Sequence, residues 1–219
     1  MEFVDPKSDI ALKKIFGNQN HRAVLLEFLN VVLSPPHPLV EVTVANPYQV
    51  PRLEQLKETI LDIYARDDQG RDFIIEMQVQ KQSYFAKRIL FYTSKAYAEQ
   101  IKPGQNYMLL RPVIFLGVLN FSTFDSEEPI TRHVITNQVN QRQELKDFEF
   151  YFIELPKFRK GESELETLTD QWLYFLKHAA EMSAIPACVS TVGLREAYAV
   201  AEQHGWTAEE MQLYEYWAM

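Results

Sequence analysis

The chain has a single cysteine, Cys188, so no disulfide can close within it, and a reducing compartment is expected. Its five histidines, His21, His37, His133, His178 and His204, form no H-x-x-x-H pair, and no C-x-x-C is present. A zinc site is therefore not expected. Long hydrophobic runs are also missing. The longest, Val113–Leu119, is too short to cross a bilayer, and the opening Met-Glu-Phe-Val-Asp lacks the basic and apolar stretches of a signal peptide. The expectation is a soluble cytoplasmic protein with no membrane partner. With no G-x-S-x-G, and with Cys188 near no histidine motif, a hydrolase built on a Ser or Cys nucleophile is poorly supported. Positive charge is short as well: 30 acidic against 22 basic side chains leave a net charge of −8. That excludes a histone-like or ribosomal type of protein.

What is present is core-forming material. The 219 residues are 47% hydrophobic and 13% aromatic, ample for a large core and far from a disordered composition. The charge is unevenly spread: residues 1–143 hold 16 acidic and 16 basic groups, whereas residues 144–219 hold 14 acidic and 6 basic. The whole excess lies in the C-terminal third. No internal repeat and no low-complexity tract interrupts the chain.

Apolar spacing predicts a short helix over Pro6–Gly17 and a second over Asn20–Leu33, which the prolines at 35, 36 and 38 end. Val40, Val42 and Val44 alternate as in a strand. Residues 46–58 follow neither period, since Pro47 and Pro51 break both. Two strands, Thr59–Arg66 and Arg71–Gln80, flank a turn, and a long helix over Ser83–Lys102 stops at Pro103-Gly104. Val113–Phe121 is apolar without alternation, as a strand covered on both faces should be, and Phe148–Leu155 extends the sheet. This order gives an α/β core with a mixed sheet over residues 1–155. Residues 156–219 form an acidic helical extension, with helices at 162–180, 193–204 and 207–218. The last opens on a capping box, Thr207 with Glu210. It ends while still amphipathic, so the chain is expected to continue past Met219.

Thr59–Gln80 carries the chemistry. A three-residue turn, Asp68-Gln69-Gly70, with Gly70 in the left-handed region, places Asp67 opposite Arg71. Leu61 then faces Met77, Ile63 faces Ile75 and Ala65 faces Phe73, all apolar pairs on one side. On the other side Asp62 falls opposite Glu76, and Ile60 opposite Gln78. Facing carboxylates repel unless a cation sits between them, and a slip of one residue would split the apolar set. Cβ separations of about 5 Å let two carboxylates share one hard cation. Gln78 points from the same side and can hold a water there, which equips the face for metal-assisted phosphodiester hydrolysis. The competing reading is a solvated polar face. Along the next helix Lys81, Arg88 and Lys95 recur every seven residues, with Tyr92 four beyond Arg88 and Lys87 alongside. This stripe reads as a phosphate grip or as a solvated face. Phe85, Ile89, Phe91 and Tyr97 read as core.

Asp62 followed by Glu76-Met77-Gln78 resembles the PD-(D/E)XK nuclease superfamily, with an Asp on one strand and E-x-K on the next inside an αβββαβ core. The resemblance is more specific to the Rpn family of recombination-promoting nucleases, also described as PD-(D/E)XK family transposases. Lys7-Ser8-Asp9, Lys13-Lys14-Ile15-Phe16-Gly17, Leu61-Asp62-Ile63, Ile75-Glu76-Met77-Gln78, Arg88, Tyr92-Thr93-Ser94, Gly104, Tyr107 and Pro112-Val113-Ile114 carry it, over roughly residues 1–180. It implies a restriction-endonuclease-like fold with Asp62 and Glu76 as ligands of Mg²⁺ or Mn²⁺. Gln78 stands where the superfamily has its lysine. A glutamine orients water but supplies no positive charge, which Lys81 or Arg88 would have to provide. Glu27, on the first core helix, matches the place of an additional acidic ligand, with the polar edge of an amphipathic helix as the competing reading. Asp9 matches the N-terminal motif, with capping or ion pairing as its role.

The expected protein is thus a Mg²⁺-dependent DNA endonuclease from a recombination or mobile-element setting. Asp62 and Glu76 bind the metal, Gln78 positions water, and Lys81, Arg88, Tyr92 and Lys95 contact DNA. Cutting both strands takes two active sites, hence an expected homodimer. The acidic tail faces away from DNA or masks the site until a partner binds. The alternative is a catalytically inactive nuclease-fold module that binds nucleic acid or a protein.

Overall fold

Two short apolar helices come first. Ser8 caps α1 (Asp9–Phe16) by accepting from Ala11 N, which starts the helix later than the spacing alone suggests. Helix α2 (Arg22–Leu33) follows a single 3₁₀ turn and stops at Ser34, held in the left-handed region immediately before Pro35. The computed structural model describes residues 2–45 and 63–218. The expectations for residues 46–62, Asp62 among them, lie outside the described residues. Strands β1 (Val42–Val44), β2 (Ile63–Asp67) and β3 (Asp72–Gln78) lead to α3 (Phe85–Glu99), then β4 (Val113–Leu119), β5 (Ile130–Val134) and β6 (Phe148–Glu154). Helices α4 (Leu168–His178), α5 (Val192–Ala201) and α6 (Ala208–Ala218) complete the chain.

Among the described residues six strands make one mixed sheet, ordered β1-β2-β3-β4-β6-β5. Strands β3, β4 and β6 run parallel, and β1, β2 and β5 pair antiparallel to their neighbours. The β2–β3 hairpin has the expected turn: Gly70 lies at φ 78°, Asp67 N donates to Arg71 O, and Ile63 pairs with Ile75 and Ala65 with Phe73. A β-carbon is strained at that φ, so the glycine is needed there. Strand β5 was not expected. Ile-Thr-Arg-His-Val shows no alternation, and the segment becomes a strand by pairing with β6 at the sheet edge.

Each face of the sheet has its own core. Phe73 and Ile75 of β3 join a large cluster with α1, α2, α4 and α5, while Ile74 joins Phe85 and Ile89 of α3 together with Val113, Phe115 and Phe152. This double covering explains why β4 is apolar at every position. Because α3 buries its 85–89–93 side, Phe91 points outward and is exposed, contrary to its core reading. Tyr97 is half-buried, its hydroxyl donating to Asp147 Oδ2.

After β6 the chain is helical, and α4, α5 and α6 pack on α1 and α2, on the sheet face opposite α3. Trp172 is fully buried with its ring against Phe16 and Phe28. Helix α4 starts at Leu168 because Thr167 and Asp170 form a capping box, and the expected box of Thr207 with Glu210 opens α6. Replacing Trp172 by Ala removes a large side chain from this layer. An equilibrium urea titration is expected to show a loss of about 3–5 kcal/mol.

Candidate active site

The parallel strands β3, β4 and β6 end together, with Gln78, Leu119 and Glu154 side by side. Open α/β sheets place their sites at this carboxyl edge. Glu76 and Gln78 project there from β3 on the α3 side, 4% and 8% exposed. A carboxylate this far from water needs a compensating charge. Arg88, in the first turn of α3, provides it. Its Nη2 donates to Glu76 Oε2 at 3.1 Å and also to Gln78 Oε1, and its Nη1 donates to Gln82 Oε1 at 3.3 Å. The Gln78 amide is oriented in turn, Nε2 donating to Gln80 O at 2.9 Å. Arg88 Nε is buried with no hydrogen-bond partner among the described residues. Burial pushes the Glu76 carboxyl above the usual carboxylate range, and the charges of Arg88 and then Lys13 pull it back only in part.

The charge of Lys13, on α1, also acts on this carboxyl, and its ammonium pairs with Asp9 at 2.9 Å. The resemblance includes Lys13 in its motif without assigning it a role, and the i, i+4 spacing to Asp9 was the available signal. Gln82 is a second residue that the sequence reading missed.

Other expected residues lie elsewhere. Glu27 accepts from Trp172 Nε1, from Thr191 Oγ1 at 2.7 Å, and from Gly193 N and Leu194 N at 3.1 Å, so its carboxylate closes the start of α5. A β-carbon at Gly193 would lie 2.8 Å from Ala23 O and from Glu27 itself, so the glycine permits that approach. Lys81 is exposed and precedes the first turn of α3, so it does not share the helix stripe. Lys95 is exposed, 3.7 Å from Glu99, and Tyr92 is half-buried against Phe91. Glu154, at the same sheet edge as Gln78, is saturated by Thr123 N, Phe124 N and Lys157 Nζ, and it anchors the 123–124 backbone instead.

The described donors on β3 are a carboxylate and an amide oxygen, hard ligands of the kind Mg²⁺ takes. They fit a divalent cation in kind. No group of three His, Cys, Asp or Glu side chains suited to a metal assembles among the described residues. The expected second carboxylate, Asp62, lies outside them.

A six-stranded mixed sheet covered by helices on both faces is consistent with a restriction-endonuclease-like fold. The model for the PD-(D/E)XK nuclease family transposases matches residues 6–217, and the chain belongs to that family. No curated protein and no solved structure matches it. Membership supports a nuclease-like function on DNA, and nucleases of this superfamily generally use divalent metal ions. None of the described helices is long and apolar enough to cross a membrane.

The raised Glu76 pKa has a thermodynamic consequence. Folding favours the protonated acid, so this group's contribution to stability is full below the ordinary Glu range and is lost as pH rises through the raised value. In EDTA, Glu76→Gln should therefore be increasingly more stable than wild type as pH rises, with the gap closing toward acid. Urea midpoints across pH check this, and a gap that widens toward acid contradicts it.

Proposed function

We propose that the protein is a DNA endonuclease dependent on Mg²⁺ or Mn²⁺ and acting in recombination or on mobile elements, with Asp62 and Glu76 as the residues that hold the cation. The observation that carries this reading is the buried Glu76 carboxylate beside the oriented Gln78 amide, at the carboxyl edge of the parallel strands. The observed pairing of Ile63 with Ile75 supports it, being the register that the sequence reading of this hairpin assumed. The family's divalent-ion chemistry would acidify the attacking water and offset charge developing on the phosphate.

The chain's own groups have distinct tasks. Arg88 and Lys13 favour the ionised form of Glu76 against the cost of burial. Gln78 orients a water through its amide but cannot polarise it by charge. Arg88 supplies that charge: turning its guanidinium toward a phosphate oxygen releases both Glu76 and Gln78, and offers an acceptor to the Nε–H that has none among the described residues. Lys81, Tyr92 and Lys95 contact the backbone outside the site, and a homodimer provides the second active site for cutting both strands.

One observation favours a catalytically silent module: Arg88 already neutralises Glu76 without a cation. Nicking of supercoiled plasmid separates the readings. Wild type is expected to nick with Mg²⁺ or Mn²⁺ and to stop in EDTA. Asp62→Ala and Glu76→Gln should each lose more than the roughly 10- to 100-fold that removing an outer-shell partner costs a metal site. Metal-dependent nicking that survives Asp62→Ala refutes the metal role. Absence of nicking, with no calorimetric heat from Mn²⁺, supports the silent module.

A further inference from the structure

Helix α3 buries Phe85, Ile89 and Thr93 and turns another side to solvent. Tyr84, Arg88, Phe91 and Lys95 recur at intervals of four, three and four, so they form one stripe along that side, with Lys87 beside it. Tyr84 and Phe91 are 56% and 63% exposed. Residues 79–98 hold four basic groups and no acidic one, in a protein whose net charge is −8. Lys95 is only loosely engaged by Glu99, since both are exposed and 3.7 Å apart. The stripe also leads out of the candidate active site, since Arg88 is the residue bonded to Glu76 and Gln78. Seven residues of helix separate Tyr84 from Phe91 by about 10 Å, a span on the scale of neighbouring nucleotides in an extended strand.

We propose that this stripe is a stacking surface for unpaired nucleotides, so that the substrate is single-stranded DNA, or duplex DNA whose strands are splayed beside the scissile bond. Aromatic rings between cations take up bases by their faces and phosphates by charge. A closed duplex hides its base faces and meets only the lysines. A second copy of the chain is the disfavoured occupant. A two-fold contact through this stripe sets the same three cations, Lys87, Arg88 and Lys95, against one another, whereas a nucleic acid brings the opposite charge. The term substrate rests on the nuclease reading of the Glu76 site; the binding does not.

Fluorescence anisotropy in EDTA and low salt tests this with labelled oligo(dT) and a hairpin duplex of matching length. Wild type is expected to bind oligo(dT) more tightly than the duplex. Phe91→Ala and Tyr84→Ala should each weaken oligo(dT) binding by about fivefold or more, with Phe91→Trp restoring it. Equal or tighter binding of duplex overturns the proposal, as does oligo(dT) affinity unchanged in both alanine variants. Loss of a sedimenting dimer in Phe91→Ala at unchanged affinity assigns the stripe to a second copy, and also overturns it. A protein that binds oligo(dT) through Phe91 yet never nicks refutes the nuclease reading alone. One that nicks plasmid but shows no Phe91 dependence refutes the stacking surface alone.

Discussion

A carboxylate held almost out of water on a central strand is the constraint around which the candidate site is arranged. Glu76 is covered by the sheet behind it and by α3 in front; burial disfavours its ionised form, and the charges of Arg88 and Lys13 offset that only in part. The two cations that act on it lie on helices covering opposite faces of the sheet, and the carboxylate accepts directly from Arg88. It also costs stability at neutral pH, the usual mark of a group retained for chemistry and not for folding. Its strand neighbour across β4 is Gly117, where a β-carbon would meet the Phe115 and Phe152 rings at 3.1 Å, so the position beside the acid is kept free of a side chain.

The acidity of the C-terminal third has a structural use that net charge alone conceals. Glu210 pairs with Lys14 at 2.6 Å, Glu196 with His21 at 2.5 Å and Asp170 with Lys160 at 2.9 Å, while Lys14 also lies over the Trp206 ring. Two of these tail acids hold the N-terminal helices. The layer they form covers the sheet face opposite α3, which leaves the basic stripe clear of the acidic surplus.

Where local pattern decides structure, the sequence was readable. Alternating apolar residues and one turn glycine set the β2–β3 register residue by residue, and the Thr207 capping box and the ending of α2 before its prolines followed from side chains a few positions apart. What escaped depends on neighbours distant in sequence. Strand β5 exists because β6 offers it a partner. Phe91 looked like core because hydrophobicity does not reveal which side of a helix meets the sheet. Glu27 matched a metal-ligand position, yet its partners are more than 140 residues away. Lys13 is near Glu76 only once α1 has docked.

The closure of α5 by Glu27 imposes an order on assembly. Until Thr191, Gly193 and Leu194 have been synthesised, this acid on α2 lacks most of its donors, and the first helices cannot bury it cheaply. The bridge from Phe3 to Glu202 joins an early segment to a late one in the same way. Such long sequence separations slow folding, since the later partner must be made before the contact can form. On a translating ribosome the sheet and its acidic edge would therefore emerge long before the helical layer that closes the N-terminal helices. A nuclease-type protein made in this manner closes its N-terminal helices only once residues 191–202 have left the ribosome.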